Sequence, residues 1–113
     1  MATECLFCRI VRKEIPATIV AEDEHAIAFR DVNPQAPTHI LVVPRTHVAS
    51  LDDVRDPLLI ARVMMMAADV ARQEGIVDQG YRTVLNTNAG AGQSVFHLHA
   101  HILGGRRLTW PPG

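Results

Sequence analysis

The run Phe96-His97-Leu98-His99-Ala100-His101-Ile102 constrains the fold more than any other stretch of the chain. Three histidines alternate with apolar residues at period two, the pattern of a half-buried strand whose successive side chains face opposite ways. The three imidazoles therefore share one face, about 6.6 Å apart, two strand rises of roughly 3.3 Å. Phe96, Leu98, Ala100 and Ile102 take the other face and press into a core. Clustered imidazoles disfavour one another's charged forms, so at least one stays a neutral base near neutral pH. Immediately upstream, Gly90, Gly92, Gln93 and Ser94 form a permissive loop whose backbone N–H groups can approach an anion closely.

The rest of the chain supplies partners for such a strand. Thr3 is placed to cap a short helix over Glu4 to Lys13, with Leu6, Phe7, Ile10 and Val11 on one face. Thr18 to Ala21 and His25 to Arg30 read as two strands joined by the acidic turn Glu22-Asp23-Glu24. Asn33-Pro34-Gln35-Ala36-Pro37 breaks the pattern; Ile40 to Val43 then forms a third, fully apolar strand with His39 at its entrance. Ser50-x-x-Asp53 and Asp56-Pro57 are helix-start signals, and Leu58 to Glu74 is a long helix closed by Gly75. Met64, Met65 and Met66 within it read as gap-filling core residues rather than a ligand-binding box. Tyr81 to Leu85 is a fourth strand ending at Asn86. The expectation is an α+β fold in one domain, residues 1–113, with a five-stranded, mostly antiparallel sheet and one long and one short helix. Residues 106–113 are its tail, and the proline-stiffened Trp110-Pro111-Pro112-Gly113 is not expected to be helical.

Composition narrows the class. A chain of 113 residues supports one core, at a size where association helps to bury more surface. A net charge of -1 leaves no basic footprint for nucleic acid. No apolar run approaches the roughly 18 residues of a membrane span, and acidic Glu4 stands where a basic leader would begin. The expectation is therefore a cytoplasmic chain with neither nucleic-acid nor membrane partners. In such a chain, Cys5-x-x-Cys8 suggests metal or redox chemistry rather than a structural disulfide. The three alternating histidines, taken alone, fit either a transition-metal site or a catalytic base.

The flanking motifs bear on that choice. His-Leu-His-Ala-His-Ile-Leu preceded by Gly-Gln-Ser resembles the signature of the histidine triad family of nucleotide hydrolases and transferases. Glu14 to Ala17, Asp31, Gln35 to His39, Val43-Pro44-x-x-His47, Gly104-Gly105 and the terminal Trp-Pro-Pro-Gly resemble its Hint branch, and the resemblance covers nearly the whole chain. It implies the same α+β fold, paired side by side as a homodimer, acting as a purine nucleoside phosphoramidase without an organic cofactor. Carried over position by position, it implies His99 as the nucleophile at the α-phosphorus. His101, Asn86 and the loop of Gly92, Gln93 and Ser94 would lie on the phosphate oxygens, with Ser94 near the departing group. His39 would be an accessory member of the hydrogen-bond chain, and His97 would hold it in one tautomer. Asp31 would accept from both ribose hydroxyls. Leu6, Phe7, Ile10, Ile15, Phe29 and Val32 would wall the base, stacking a purine of either kind, AMP-type or GMP-type. Bacterial-type relatives join a Cys-x-x-Cys pair to two histidines around a structural zinc ion, here Cys5, Cys8, His47 and His97. Trp110 would belong to a tail that reaches the partner subunit's site. Three rivals accompany this reading: a dinucleoside polyphosphate hydrolase, against which the Trp-Pro-Pro-Gly ending argues; a nucleotidyl transferase, against which the retained His101 argues; and a nucleotide-binding regulatory or scaffold protein.

Overall fold

The structure, a computed structural model, describes residues 5–113. The expected cap Thr3 and the first helical residue Glu4 lie outside them. Helix α1 spans Leu6–Val11, and Cys5 takes the capping role: its Sγ accepts from Cys8 N–H at 3.4 Å. The helix stops two residues earlier than expected because Lys13 turns into the left-handed region at φ 60°.

Strand β1, Ile19–Glu22, pairs antiparallel with β2, Ala26–Arg30. The turn between them is built on Asp23, whose Oδ1 accepts from His25 N–H and Ala26 N–H at 2.7 and 2.9 Å. Strand β3, Thr38–Pro44, is buried along its whole length. Strand β4, Arg82–Val84, lies at the sheet edge, and β5, Ala100–Gly104, sits between β3 and β4. The sheet order is β1-β2-β3-β5-β4, and every pairing is antiparallel.

Helix α2, Pro57–Gln73, starts at Asp56, whose Oδ1 accepts from Leu58 N–H at 3.0 Å, and ends at Gly75 in the left-handed region. Ser50-x-x-Asp53 opens only a separate 3-10 turn, Leu51–Asp53, with Ser50 Oγ donating to Asp53. On α2, Val63, Met66, Ala67, Val70 and Ala71 are buried, a stripe of helical spacing. It packs on Ala26, Ala28, Ile40, Val42, Ala100 and Ile102, covering one face of the sheet. Each fully buried valine or isoleucine among them contributes about 1.5–3 kcal/mol. The methionine run divides here: Met66 packs in the core, whereas Met64 is partly exposed and Met65 is 62% exposed. A run of three spans about 200° of the helical circumference and cannot all face inward.

The opposite sheet face carries a second core, in which Phe7 and Ile10 of α1 meet Ile27, Phe29, Leu41 and Val43. A sheet packed on both faces reads as continuous apolar runs, and alternation cannot reveal which side chains look toward α1. None of the described helices is long and apolar enough to cross a membrane.

Candidate active site

Between α1 and the second face of the sheet lies a cleft of about 380 Å³. All six apolar residues expected around a base line it: Leu6, Phe7, Ile10, Ile15, Phe29 and Val32. Arg30, Asp31, Ser94, His99 and His101 bring the polar groups. Leu41, Val95, Pro16 and Ala17 also line it and were missed in the sequence. Leu41 was recoverable, since it stands two residues from His39 and pairs directly with His101. Val32 is a rim residue, 99% exposed.

The triad straddles the start of β5 rather than lying within it. Only His101 is in the ladder. In the β3–β5 register the position facing Leu98 is Pro44, which has no N–H to give, and Leu98 N–H turns to Val48 O instead at 2.7 Å. The ladder stops there, and Phe96, expected in the core, is 47% exposed. The shared imidazole face survives: Phe7 packs edge-on to His99 with ring centroids 5.0 Å apart and against His97 at 6.1 Å. His99 and His101 lean together to 4.9 Å, closer than strand geometry alone predicts.

Hydrogen bonds to fixed backbone groups decide where each imidazole proton sits. Gln35 N–H donates to His39 Nδ1 at 3.0 Å, so His39 carries its proton on Nε2. That Nε2–H donates to His101 Nδ1 at 2.9 Å, which puts the His101 proton on Nε2. His99 Nδ1–H donates to the His97 carbonyl at 2.8 Å, leaving His99 Nε2 with a lone pair. These three rings and His97 are held neutral. Burial lowers the pKa of His97 and His101 to about 4 and pushes His39 and His99 below the usual imidazole value. The Asp31 carboxylate opposes the shift at His39, His99 and His101 without reversing it. Two neighbouring rings in the cleft thus offer opposite functions: a basic nitrogen on His99 and an N–H donor on His101.

Asp31 has both a turn role and a cleft position. Its Oδ1 accepts from Asn33 N–H at 2.8 Å, and Oδ2 lies 3.4 Å from His39 Nε2. Asn86, Gly92 and Gln93 do not line the cleft. Gly92 N–H donates to Ala89 O within a 3-10 turn, Ala89–Ala91. Gln93 is buried and braces the loop: its Oε1 accepts from Asn88 N–H at 2.8 Å and its Nε2 donates to Ala49 O at 2.7 Å. The tail is not helical; Trp110 is 82% exposed, and Arg82 donates to Thr109 O at 2.8 Å.

His97 is outside the cleft and fully buried. Its Nε2–H donates to Pro44 O at 2.8 Å, so the Nδ1 lone pair points away from that carbonyl. Around that lone pair stand Cys5 Sγ at 3.4 Å, Cys8 Sγ at 3.5 Å and His47 Nδ1 at 3.1 Å. All four donor atoms lie within 4.8 Å of one another. A tetrahedral zinc ion at about 2.3 Å from sulfur and about 2.0–2.1 Å from nitrogen separates its ligands by about 3.3–3.8 Å. The donor types, the spacing and the carbonyl that fixes the His97 tautomer all fit such an ion.

The HIT domain pattern matches residues 12–108. The purine nucleoside phosphoramidase of Escherichia coli K12 is 47% identical over 110 residues, covering 96% of this chain and 92% of that one. A 14 kDa zinc-binding protein of Zea mays is 48% identical over 113 residues, covering 96% of this chain and 87% of that one. The crystal structure of a HIT family hydrolase from Legionella pneumophila Philadelphia 1 superposes with a TM-score of 0.95 at 52% identity, covering 97% of this chain and all of that one. With a family pattern over most of its length and relatives near half identity, the chain belongs to the HIT domain family.

Proposed function

We propose that this HIT-family hydrolase cleaves the P–N bond of purine nucleoside 5′-monophosphoramidates and related acyl nucleotides, releasing the nucleoside monophosphate. The observation that carries the reading is the pair of tautomers: a lone pair on His99 Nε2 beside an N–H on His101 Nε2. His99 attacks the α-phosphorus, a P–N bond to imidazole forms, and the bond to the departing amine breaks as the amine takes a proton from solvent through the Ser94 hydroxyl. Water then attacks the nucleotidyl-histidine, restoring the free imidazole and releasing the monophosphate. Dividing one displacement into two is the advantage of covalent catalysis. The His101 N–H stabilises the phosphoryl oxygens as charge redistributes.

Ser94 assists the leaving amine, and Asp31 accepts from the ribose hydroxyls. The wall from Leu6 to Val32 stacks the purine without hydrogen bonds to its edge, so adenine and guanine nucleotides are both accepted. On the phosphate side Ser94 is the member of the Gly92–Ser94 loop that reaches the cleft, with Gln93 bracing that loop.

A structural zinc ion held by Cys5, Cys8, His47 and His97 completes the reading, supported by the donor geometry and by the zinc-binding relative. It ties α1 to the sheet and takes no part in proton transfer. The reading includes a homodimer, as a chain of 113 residues gains by burying more surface in association. The tail with Trp110 then serves the partner's site. A cytoplasmic location accords with Cys5 and Cys8 serving as ligands of the zinc ion rather than as a structural disulfide.

Steady-state hydrolysis of adenosine 5′-phosphoramidate by wild type and His99→Ala, with AMP titrations of both, tests the assignment. Turnover is expected to fall at least about 10³-fold in His99→Ala, as for other covalent nucleophiles, with AMP binding retained. Wild-type binding without turnover would instead support a nucleotide-binding regulatory protein.

A further inference from the structure

We infer that Arg106 is a positioning residue for the triad, acting through Gln35 and His39 to keep the His101 proton on Nε2. The inference rests on the reading of the cleft as a phosphoramidase site.

Everything at His101 depends on one backbone N–H. If Gln35 N–H leaves His39 Nδ1, that nitrogen is free to carry the proton, and His39 Nε2 becomes an acceptor. His101 must then turn its own proton to Nδ1, which leaves its Nε2 bare. An imidazole that donates to phosphate oxygens becomes one whose lone pair repels them. The two neutral tautomers of an imidazole are close enough in energy for one hydrogen bond to choose between them.

Gln35 is nevertheless in an exposed loop between β2 and β3, and two of its restraints are local. Asn33 N–H reaches Asp31 Oδ1 at 2.8 Å, and Gln35 Nε2 reaches Asn33 O at 3.0 Å. Both tie the loop to itself. The tie to the far end of the chain is Arg106, whose Nε and Nη2 both donate to Gln35 O, at 3.3 and 3.1 Å. Its Nη1 donates to Arg107 O at 3.0 Å, which sets the plane of the guanidinium. The preceding corner is shaped for this contact. Gly105 adopts φ +88°, and a Cβ there would stand 2.9 Å from Pro37 Cβ. The chain leaving β5 is thereby pressed against the loop that orients His39. Among the described residues no carboxylate pairs with Arg106, so its donors have no rival acceptor of that kind. The guanidinium fork also gives this carbonyl two donors where an ammonium would give one freely rotating group.

Arg106 is exposed. Arg106→Met keeps the apolar stem and removes every donor, so the core is expected to remain intact by circular dichroism. The measurement is the ¹⁵N shift of the His39 and His101 ring nitrogens in wild type, Arg106→Met and Arg106→Lys, alongside kcat, KM and AMP affinity. In Arg106→Met the His101 nitrogens are expected to move from single-tautomer values toward averaged ones. Turnover is expected to fall about fivefold, the size of one lost hydrogen bond, with KM nearly unchanged. Arg106→Lys should recover part of both effects. Wild-type nitrogen shifts in a folded Arg106→Met variant would overturn the inference. Because those shifts are read without substrate, they decide the role of Arg106 even if the wild type fails to turn over a phosphoramidate, a result that would overturn only the functional reading.

Discussion

His39 and His101, 62 positions apart, share a hydrogen bond of 2.9 Å from Nε2 to Nδ1, and that bond determines which nitrogen of His101 can face a substrate. Replacing His39 by Ala leaves His101 Nδ1 without its donor and both tautomers open. Turnover of an adenosine phosphoramidate should fall about tenfold, equivalent to about 1.4 kcal/mol in the transition state. AMP affinity should change far less, because His39 is not in the cleft lining. An equal loss in both quantities would show that His39 supports binding rather than proton placement.

Neutral imidazoles make the activity tolerant of acid. Because burial holds the pKa of the His99 base below the ordinary imidazole value, the acid limb of kcat/KM should lie below pH 6.5. Stability should respond as well. His97 and His101 have lower pKa values folded than unfolded, so the unfolded chain binds more protons between pH 6.5 and about 4. Metal-free protein should therefore be fully stable above that window and lose stability as pH falls through it, by at most about 1.4 kcal/mol per pH unit for each group. Urea midpoints at several pH values check the sign; a midpoint that rises on acidification would contradict it.

Removal of the metal should be felt in the cleft as well as at the cysteines. Cys5 caps α1, and Phe7 of that helix packs on both His97 and His99. Purified protein is expected to carry about one zinc per chain, and chelation or Cys5→Ser/Cys8→Ser should lower the melting temperature by more than about 5 °C. Substrate KM should rise because the α1 wall loosens. Metal content well below one per chain after reconstitution would remove the zinc assignment.

The tail offers a separable test. Trp110 is largely exposed, and Arg82 to Thr109 O is a single tether near it. Deleting Trp110 to Gly113 should change the ranking of leaving groups while the melting temperature shifts by less than about 2 °C, as for other exposed termini. An unchanged ranking would refute a role for the tail at the partner's site.

Much of this protein was legible without coordinates. The Asp56-Pro57 helix start and the turn chemistry around Asp23 are local signals, and each produced the element its physical chemistry requires; the period-two histidines produced a strand only from Ala100 onward. The errors have local causes too. Two helix-start signals lay six residues apart, and only the proline-bearing one led into a long apolar stripe. Cys5 caps α1, because a thiol one turn from Cys8 can accept its N–H. Phe96 followed the alternation in sequence yet stands outside the ladder, since the residue opposite Leu98 is Pro44.

By itself the sequence determined the residue types of the site and their spacing along the chain: three alternating histidines, a cysteine pair, an aspartate after an apolar strand. Those depend on covalent order and on periods of two and 3.6. Only the tertiary structure decided which histidine faces the cleft and which faces the cysteines, and on which nitrogen each proton rests. Those choices hang on backbone groups at Gln35, Pro44 and His97. Gln35 and Pro44 meet their rings only where the β2–β3 loop and the end of β3 fold over them; the His97 carbonyl meets His99 through the local path of the chain before β5. A hydrogen bond acts over about 3 Å, and no pattern in a one-dimensional sequence records that distance.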